Sequence, residues 1–159
     1  MAEFNGTPRG AGRRIVVIAS RFNETITRKL ADGALEALLQ HGVGFDDIDL
    51  VWVPGAWELP LAARHALASG RYDALVAVGA VIRGETPHFD FVAGEASRGL
   101  ATLATESEIA IGFGLLTCDT MDQAAARAGG AHGNKGWDAA LAALETADVL
   151  DQIAPADEG

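Results

Sequence analysis

The sequence has one cysteine and no long apolar run. A single cysteine, Cys118, excludes a disulfide framework and a cysteine-rich zinc site, and it is typical of a reducing cytoplasm. No apolar run approaches the roughly 18 residues that cross a membrane, and residues 1–14 lack the apolar stretch of a signal peptide. We therefore expect a cytoplasmic protein without a membrane segment.

Basic residues are also scarce. The sequence has 12 Lys and Arg and 22 Asp and Glu, which gives a formal net charge of −10. This charge excludes a general nucleic-acid binder. An anionic substrate would then need local positive charge, and Arg127 and Lys135 stand on either side of a glycine-rich loop. Arginine binds phosphate through a planar fork. The alternative for Arg127 is that it only compensates the dipole at the end of a helix.

Several motifs of nucleotide-binding, hydrolytic and metal-binding proteins are missing. The first strand is followed by the sequence SRFN rather than GxGxxG, and neither a Walker A motif nor a GxSxG elbow occurs. The four histidines show no metal-ligand spacing with Cys118, which we interpret as a packed residue at a strand end. We therefore predict no metal site and no cofactor.

Short apolar runs alternate with helical patterns along the chain. They predict strands at residues 15–19, 48–53, 74–81 and 109–116. The helical patterns begin at Asn23 as an N-cap, at Glu58, near Pro87, at Thr120 and at Asn134 or Lys135. Because strands and helices alternate, we expect an α/β fold, a three-layer α/β/α sandwich with a four-stranded parallel sheet.

The glycine-rich and polar segments set the expected boundaries. We predict a flexible N-terminal arm over residues 1–13, a single domain over 14–153 and a flexible C-terminal tail over 154–159. Residues 129–133 are predicted to form a loop before the last helix.

Ligands of open parallel sheets bind beyond the carboxyl ends of the strands. The loops that leave those ends here are residues 20–23, 54–58, 82–88 and 117–120. Nearly every candidate chemical group lies in the first three of these loops. We therefore predict that the functional site is built from them.

The third loop carries the groups for an anion and a proton. Thr86 suits an N-cap and Pro87 a first helical residue, so the free amides there would bind an anion such as phosphate. His88, in the first turn, is suited to accept a proton near neutral pH. The alternative is that the Thr-Pro pair only starts a helix and leaves His88 exposed.

The first two loops carry aromatic and acidic side chains. Phe22 and Trp57 flank the predicted cleft, where aromatic side chains stack on a flat ring. Glu58 offers a carboxylate to a polyol or an amine. The alternatives are that the two aromatics cover the hydrophobic core and that Glu58 only complements a helix dipole.

Together these loops resemble the lumazine synthase family of riboflavin synthesis. The resemblance covers about residues 14–153 and rests on the segments RFN at 21–23, VPGAWELP at 53–60, GAVIRGETPHFD at 79–90, RAG at 127–129 and NKG at 134–136. It implies a flavodoxin-like sandwich. It also implies an enzyme, without cofactor or metal, that joins 5-amino-6-(D-ribitylamino)uracil to 3,4-dihydroxy-2-butanone 4-phosphate. The products are 6,7-dimethyl-8-ribityllumazine, phosphate and water.

The resemblance also implies roles for individual residues. His88 would be the proton donor and acceptor, and the butanone phosphate would contact Glu85, Thr86 and Arg127. The ribitylaminouracil would contact Phe22, Ala56, Trp57, Glu58, Ala80, Val81, Ile82, Phe113 and Lys135. In the family, the positions of Phe113, Arg127 and Lys135 come from the neighbouring subunit, and Asp138 matches a less certain position beside Lys135.

A site shared between subunits requires an oligomer. The resemblance implies pentamers with the sites between adjacent subunits, and the short loop at 129–135 is similar to that of members whose twelve pentamers close into an icosahedral shell. Riboflavin synthase is the candidate protein partner. Two alternatives stay open: a non-catalytic flavodoxin-like module that binds a flavin or lumazine, and a shell protein whose chemistry has decayed. The pairing of His88 with Arg127 favours the enzyme.

Overall fold

The computed structural model describes residues 1–155. Its strands are β1 Ile15–Ser20, β2 Ile48–Val53, β3 Ala74–Ile82, β4 Ala110–Cys118, β5 Ala128–Gly130 and β6 Gly133–Asn134. Its helices are α1 Glu24–Gln40, α2 Leu59–Ala68, α3 His88–Ser107, α4 Met121–Ala126 and α5 Lys135–Ile153. Of the tail predicted at 154–159, residues 156–159 lie outside the described residues.

The four long strands form one parallel sheet in the order β2-β1-β3-β4. Helices α1 and α5 pack on one face of this sheet, and α2 and α3 pack on the other. The predicted α/β/α sandwich is confirmed, with the strand order of flavodoxin-like folds. No helix within residues 1–155 is both long and apolar enough to span a membrane.

Strand β1 shows why the sheet is covered on both faces. All six of its residues are buried. Its side chains alternate, so that Val17 packs in the core under α1 and α5, while Val16 and Ile18 pack in the core under α2 and α3. The unbroken apolar run at residues 15–19, which only Ser20 ends, therefore indicates burial on both sides.

Helix α5 lies unusually close to its neighbours because of two glycines. A Cβ atom at Gly136 would overlap the backbone carbonyl of Leu30 on α1. A Cβ atom at Gly112 of β4 would overlap the carbonyl of Ala139 on α5. The start of α5 is thus seated directly on α1 and on β4.

The segment between α4 and α5 differs from its prediction. Residues 129–133, predicted as a loop, belong to a small antiparallel hairpin made by β5 and β6. Gly129 and Gly133 have φ angles of 97° and 75°, a left-handed backbone that other residues rarely adopt. The glycines therefore close a turn between paired strands rather than loosen the chain.

The N-terminal residues contact the far end of α5. The backbone N–H of Thr7 donates to Asp148 Oδ2 at 2.9 Å, and Arg9 Nη2 donates to Asp148 Oδ1 at 3.3 Å. The Asp148 carboxylate is buried, and the N–H of Thr7 is the main reason that its pKa lies below the usual aspartate value. The flexibility predicted for residues 1–13 stays a prediction.

We predict that Asp148 holds this segment in a pH-dependent way. Because its pKa is lowered by folding, the contact stabilises the protein above the ordinary aspartate pKa of about 3.9 and is lost as the pH falls through the lower folded value. At pH 7, Asp148→Ala should accelerate amide hydrogen exchange at Thr7. Asp151→Ala, which removes an exposed partner of Arg13, is the matched control. Equally fast exchange at Thr7 in the wild type and in Asp148→Ala would mean that the segment is free.

Candidate functional site

A cleft of about 780 Å³ opens beyond the carboxyl ends of β1, β2 and β3. It lies where β1 has β2 on one side and β3 on the other, which is the switch point at which open α/β sheets bind ligands. Most of the predicted site residues line it, namely Phe22, Ala56, Trp57, Glu58, Ala80, Val81, Ile82, Thr86 and His88. Glu85 is exposed in the same loop as Thr86.

The loop after β1 is fixed to both neighbouring strands. The backbone N–H of Phe22 donates to the carbonyl of Pro54 at 2.9 Å, and Asn23 Nδ2 donates to the carbonyl of Ala80 at 3.0 Å. Asn23 occupies the predicted N-cap position, but its side chain makes no capping bond because its backbone is left-handed, with φ 64°. Its side chain braces the cleft instead.

Strand β3 presents a free backbone edge to the cleft. Its pairing with β1 ends at Val78, whereas its pairing with β4 continues to Ile82. Beyond Val78, the edge that faces β1 has no strand partner within residues 1–155. Ala80, Val81 and Ile82 therefore line the cleft, where the backbone groups that point away from β4 can bind the polar rim of a heterocycle, although the Ala80 carbonyl already accepts one bond from Asn23.

Three exposed aromatic rings surround this edge. Phe22 is 71%, Trp57 59% and Phe91 66% exposed, and none of them belongs to either hydrophobic core of the described chain. This exposure argues against the alternative that Phe22 and Trp57 cover the core. Sequence reasoning missed Phe91, although it follows His88 by three residues and so shares its face of α3.

Glu58 lies at the junction between a single 3-10 turn, Ala56–Glu58, and α2. Its carboxylate turns back over Gly55, where a Cβ atom would come within 3.2 Å of Oε2. The side chain is half-buried on the wall of the cleft. An ionised carboxylate accepts hydrogen bonds only, which suits it to hydroxyl or amine groups of a ligand.

The helix that carries His88 begins one residue later than predicted. Pro87, with ψ 6°, is the N-cap rather than the first helical residue, and α3 starts at His88. Thr86 is therefore not the N-cap, and its Oγ1 accepts only a long bond of 3.4 Å from the N–H of His88. The imidazole of His88 stands exposed on the rim of the cleft.

The remaining predicted residues lie in a second cavity of about 430 Å³. Phe113, Arg127 and Lys135 line it together with Asp138, at the edge formed by β4, the hairpin and the start of α5. The structure therefore does not bring these residues into the first cleft of the same chain. Arg127 Nη1 donates to the carbonyl of Gln123 at 3.0 Å, so the predicted helix-end contact is present, and the guanidinium has further donors.

Two further residues of this second cavity carry ionisable groups. His132, to which the sequence analysis assigned no role, lines it beside Arg127 and Lys135. Burial raises the pKa of the Cys118 thiol, in keeping with a packed residue rather than a nucleophile. Within the part of the chain that the structure describes, no three His, Cys, Asp or Glu side chains are grouped to hold a metal ion.

The cleft, its aromatic rim and its strand edge define a parallel α/β protein with a cleft suited in shape and chemistry to a flat, polar heterocycle. The model of the 6,7-dimethyl-8-ribityllumazine synthase family matches residues 12–151. A 6,7-dimethyl-8-ribityllumazine synthase from Gemmatimonas aurantiaca is 65% identical over 158 residues, which is 99% of this chain and 96% of that relative. The chain therefore belongs to the 6,7-dimethyl-8-ribityllumazine synthase family, and the resemblance inferred from its motifs is confirmed.

We predict that Asn23 stabilises the cleft through two separable effects. Asn23→Ala removes the bond to Ala80 and places alanine in a left-handed backbone, at a joint cost of roughly 2–3 kcal/mol. Asn23→Gly removes the bond but tolerates the backbone, so it should cost less. The thermal midpoints are compared at one fixed protein concentration. Wild-type midpoints in both variants would contradict the bracing role.

Proposed function

We propose that this chain condenses 5-amino-6-(D-ribitylamino)uracil with 3,4-dihydroxy-2-butanone 4-phosphate. The products are 6,7-dimethyl-8-ribityllumazine, phosphate and water, and the reaction is the penultimate step of riboflavin synthesis. Family membership and the 65% identity to a relative of that name support the reaction. The observation that carries it is the convergence of three loops, with Phe22, Glu58 and His88, on one cleft.

The pyrimidine substrate fits the inner part of the cleft. Phe22 stacks on its ring with Trp57 beside it, since exposed aromatic faces bind flat rings. The free edge of β3 at Ala80, Val81 and Ile82 pairs with the carbonyl and N–H groups of the pyrimidinedione. Ala56, Trp57 and Glu58 hold the ribityl chain and the ring edge.

The chemistry needs little from the protein beyond position and proton transfer. The 5-amino group of the pyrimidine attacks the ketone of the butanone phosphate and water leaves as the imine forms, so no lysine nucleophile is required. Phosphate is then eliminated, and the resulting enol tautomerises to a carbonyl. The ribitylamino nitrogen attacks this carbonyl, and loss of a second water closes the ring. Holding both substrates in line supplies much of the acceleration, and His88 gives and takes protons at the rim.

The phosphate end of the site needs a second copy of the chain. Thr86 lines the cleft and Glu85 is exposed beside it in the same loop, whereas Phe113, Arg127 and Lys135 line a separate cavity. We propose that this second cavity of one subunit closes the cleft of its neighbour. Arg127 then binds the phosphate, and Phe113 and Lys135 contact the pyrimidine substrate.

The assembly follows from this division of the site. Pentamers place five such cleft-to-cavity contacts in a ring, and the short hairpin before α5 favours closure of twelve pentamers into an icosahedral shell. A single catalytic domain over residues 14–153 of each subunit contributes to these sites. The buried, single Cys118 supports a cytoplasmic location, and riboflavin synthase is the proposed partner, since one step of the pathway remains.

We predict that purified protein forms lumazine from the two substrates faster than the spontaneous reaction, as followed by absorbance. His88→Ala should slow turnover by about 10-fold to 10⁴-fold if the imidazole transfers protons. His65→Ala, an exposed histidine of α2 away from both cavities, is the control. A wild-type rate at background with lumazine still bound would instead indicate a non-catalytic binding protein.

We also predict that the site is completed across subunits. Arg127→Ala should mainly raise the KM for the butanone phosphate, because it removes a charged fork. His88→Ala and Arg127→Ala subunits, unfolded together and reassembled, should regain part of the activity that each lacks alone. If the reassembled mixture is no more active than the mean of the two single variants, His88 and Arg127 act in a site of one chain.

A further inference from the structure

Arg83 joins three elements at the rim of the cleft. It follows β3 directly, and its backbone N–H donates to the carbonyl of Cys118 at 2.9 Å, which extends the ladder with β4. Its Nε donates to Asp119 Oδ1 at 2.9 Å, just beyond β4, and its Nη1 donates to Asp90 Oδ1 at 3.4 Å. Its Cζ lies 4.4 Å from the centroid of the Phe89 ring.

Two of these contacts fall on the first turn of α3. Phe89 and Asp90 are the residues that follow His88, so the guanidinium ties the base of this helix to the end of β4. The segment between Arg83 and His88 carries Glu85 and Thr86, and Gly84 has open space around its Cα. The segment is therefore held at its two ends rather than along its length.

We infer that Arg83 is a positioning residue, which fixes His88 and the phosphate-facing loop relative to the sheet. This inference rests on the proposed function. Arg83 is not used elsewhere in the site, because its side chain does not line either cavity of the described chain. Its role is to set the distance between the proton-transferring imidazole and the strand edge that binds the pyrimidine.

A direct contact between Arg83 and phosphate is less compatible with the geometry. The guanidinium lies between two carboxylates, Asp119 and Asp90, which occupy its Nε and Nη1 donors. A phosphate placed there would meet both negative charges at short range. Arg127, in contrast, contacts a backbone carbonyl and no carboxylate of the described residues.

The same contacts contribute little to global stability. Arg83 is 45% exposed, and the carboxylates of Asp90 and Asp119 are 60% and 67% exposed. Ion pairs this exposed add little to the free energy of unfolding. Removing them should therefore make the loop more mobile without unfolding the protein. We expect the change in the kinetic constants rather than in the melting temperature.

The test compares Arg83→Gln and Asp119→Asn with the wild type in steady-state kinetics. We expect both variants to lower kcat by roughly 10-fold or more, since small misplacements of reacting groups cost that much, and to raise the KM for the butanone phosphate. The KM for the pyrimidine substrate should not change. Arg71→Gln is the matched control, because Arg71 also pairs with an aspartate, Asp49, and stacks on an aromatic ring, at the other end of β3.

Amide hydrogen exchange of residues 84–88 provides a second readout that does not depend on turnover. We expect faster exchange there in Arg83→Gln and in Asp119→Asn, and partial rescue of both exchange and kcat in Arg83→Lys. The double variant should be no worse than Arg83→Gln alone, because Arg83→Gln already removes the contact that Asp119→Asn breaks. If Arg83→Gln fails to fold, the kcat and the exchange of Asp119→Asn and Arg83→Lys are compared with those of the wild type instead.

Three results would overturn the inference. The first is a normal kcat and normal exchange in Arg83→Gln. The second is an impaired Arg83→Gln beside a normal Asp119→Asn, which would mean that the contact with Asp119 at the end of β4 does not position the loop. The third is an equal rise of both KM values. An inactive wild type with slow exchange at 84–88 that Arg83→Gln accelerates would refute the proposed reaction but support the positioning role.

Discussion

The unequal length of two neighbouring strands is the constraint on which the site depends. Strand β1 stops pairing with β3 at Val78, while β3 continues to Ile82 against β4. This difference opens a gap in the sheet. Backbone groups of β3 at the gap would otherwise be hydrogen-bonded to β1. Asn23 spans the start of that gap through its bond to Ala80, and the loop that carries Phe22 is thereby held over the exposed edge.

The main features of the fold could be predicted because burial on two faces leaves an unambiguous pattern. Strands such as β1 are apolar over a continuous run, here residues 15–19, and alternation with helices then dictates a parallel sheet. The location of the site followed from the same topology. Local backbone detail did not, since capping preferences assume an extended N-cap residue, whereas Asn23 is left-handed and Pro87 takes the place expected for Thr86.

The division of the site between two cavities lies beyond what one sequence specifies by physics alone. Arg127 and Lys135 are separated from His88 along the chain by a complete strand and helix, and chemistry alone places all three near a phosphate. The resemblance implied that they act from a neighbouring subunit, and the structure shows that β4 and the hairpin hold them at a different edge of this chain. Arg83 was missed for a related reason, because its contacts with Asp119 and Phe89 join residues of separate elements.

The N-terminal segment follows α5 towards its far end, where Gln152 Nε2 donates to the carbonyl of Asn5 at 2.8 Å. Helix α5 begins beside the second cavity at Lys135, so Asp148 lies about 20 Å further along its axis at a rise of 1.5 Å per residue. Residues 5–9 are therefore anchored on α5 at the edge of the chain opposite the cleft. Removal of this segment would take away contacts at Asp148 and Gln152 without changing any residue that lines the cleft.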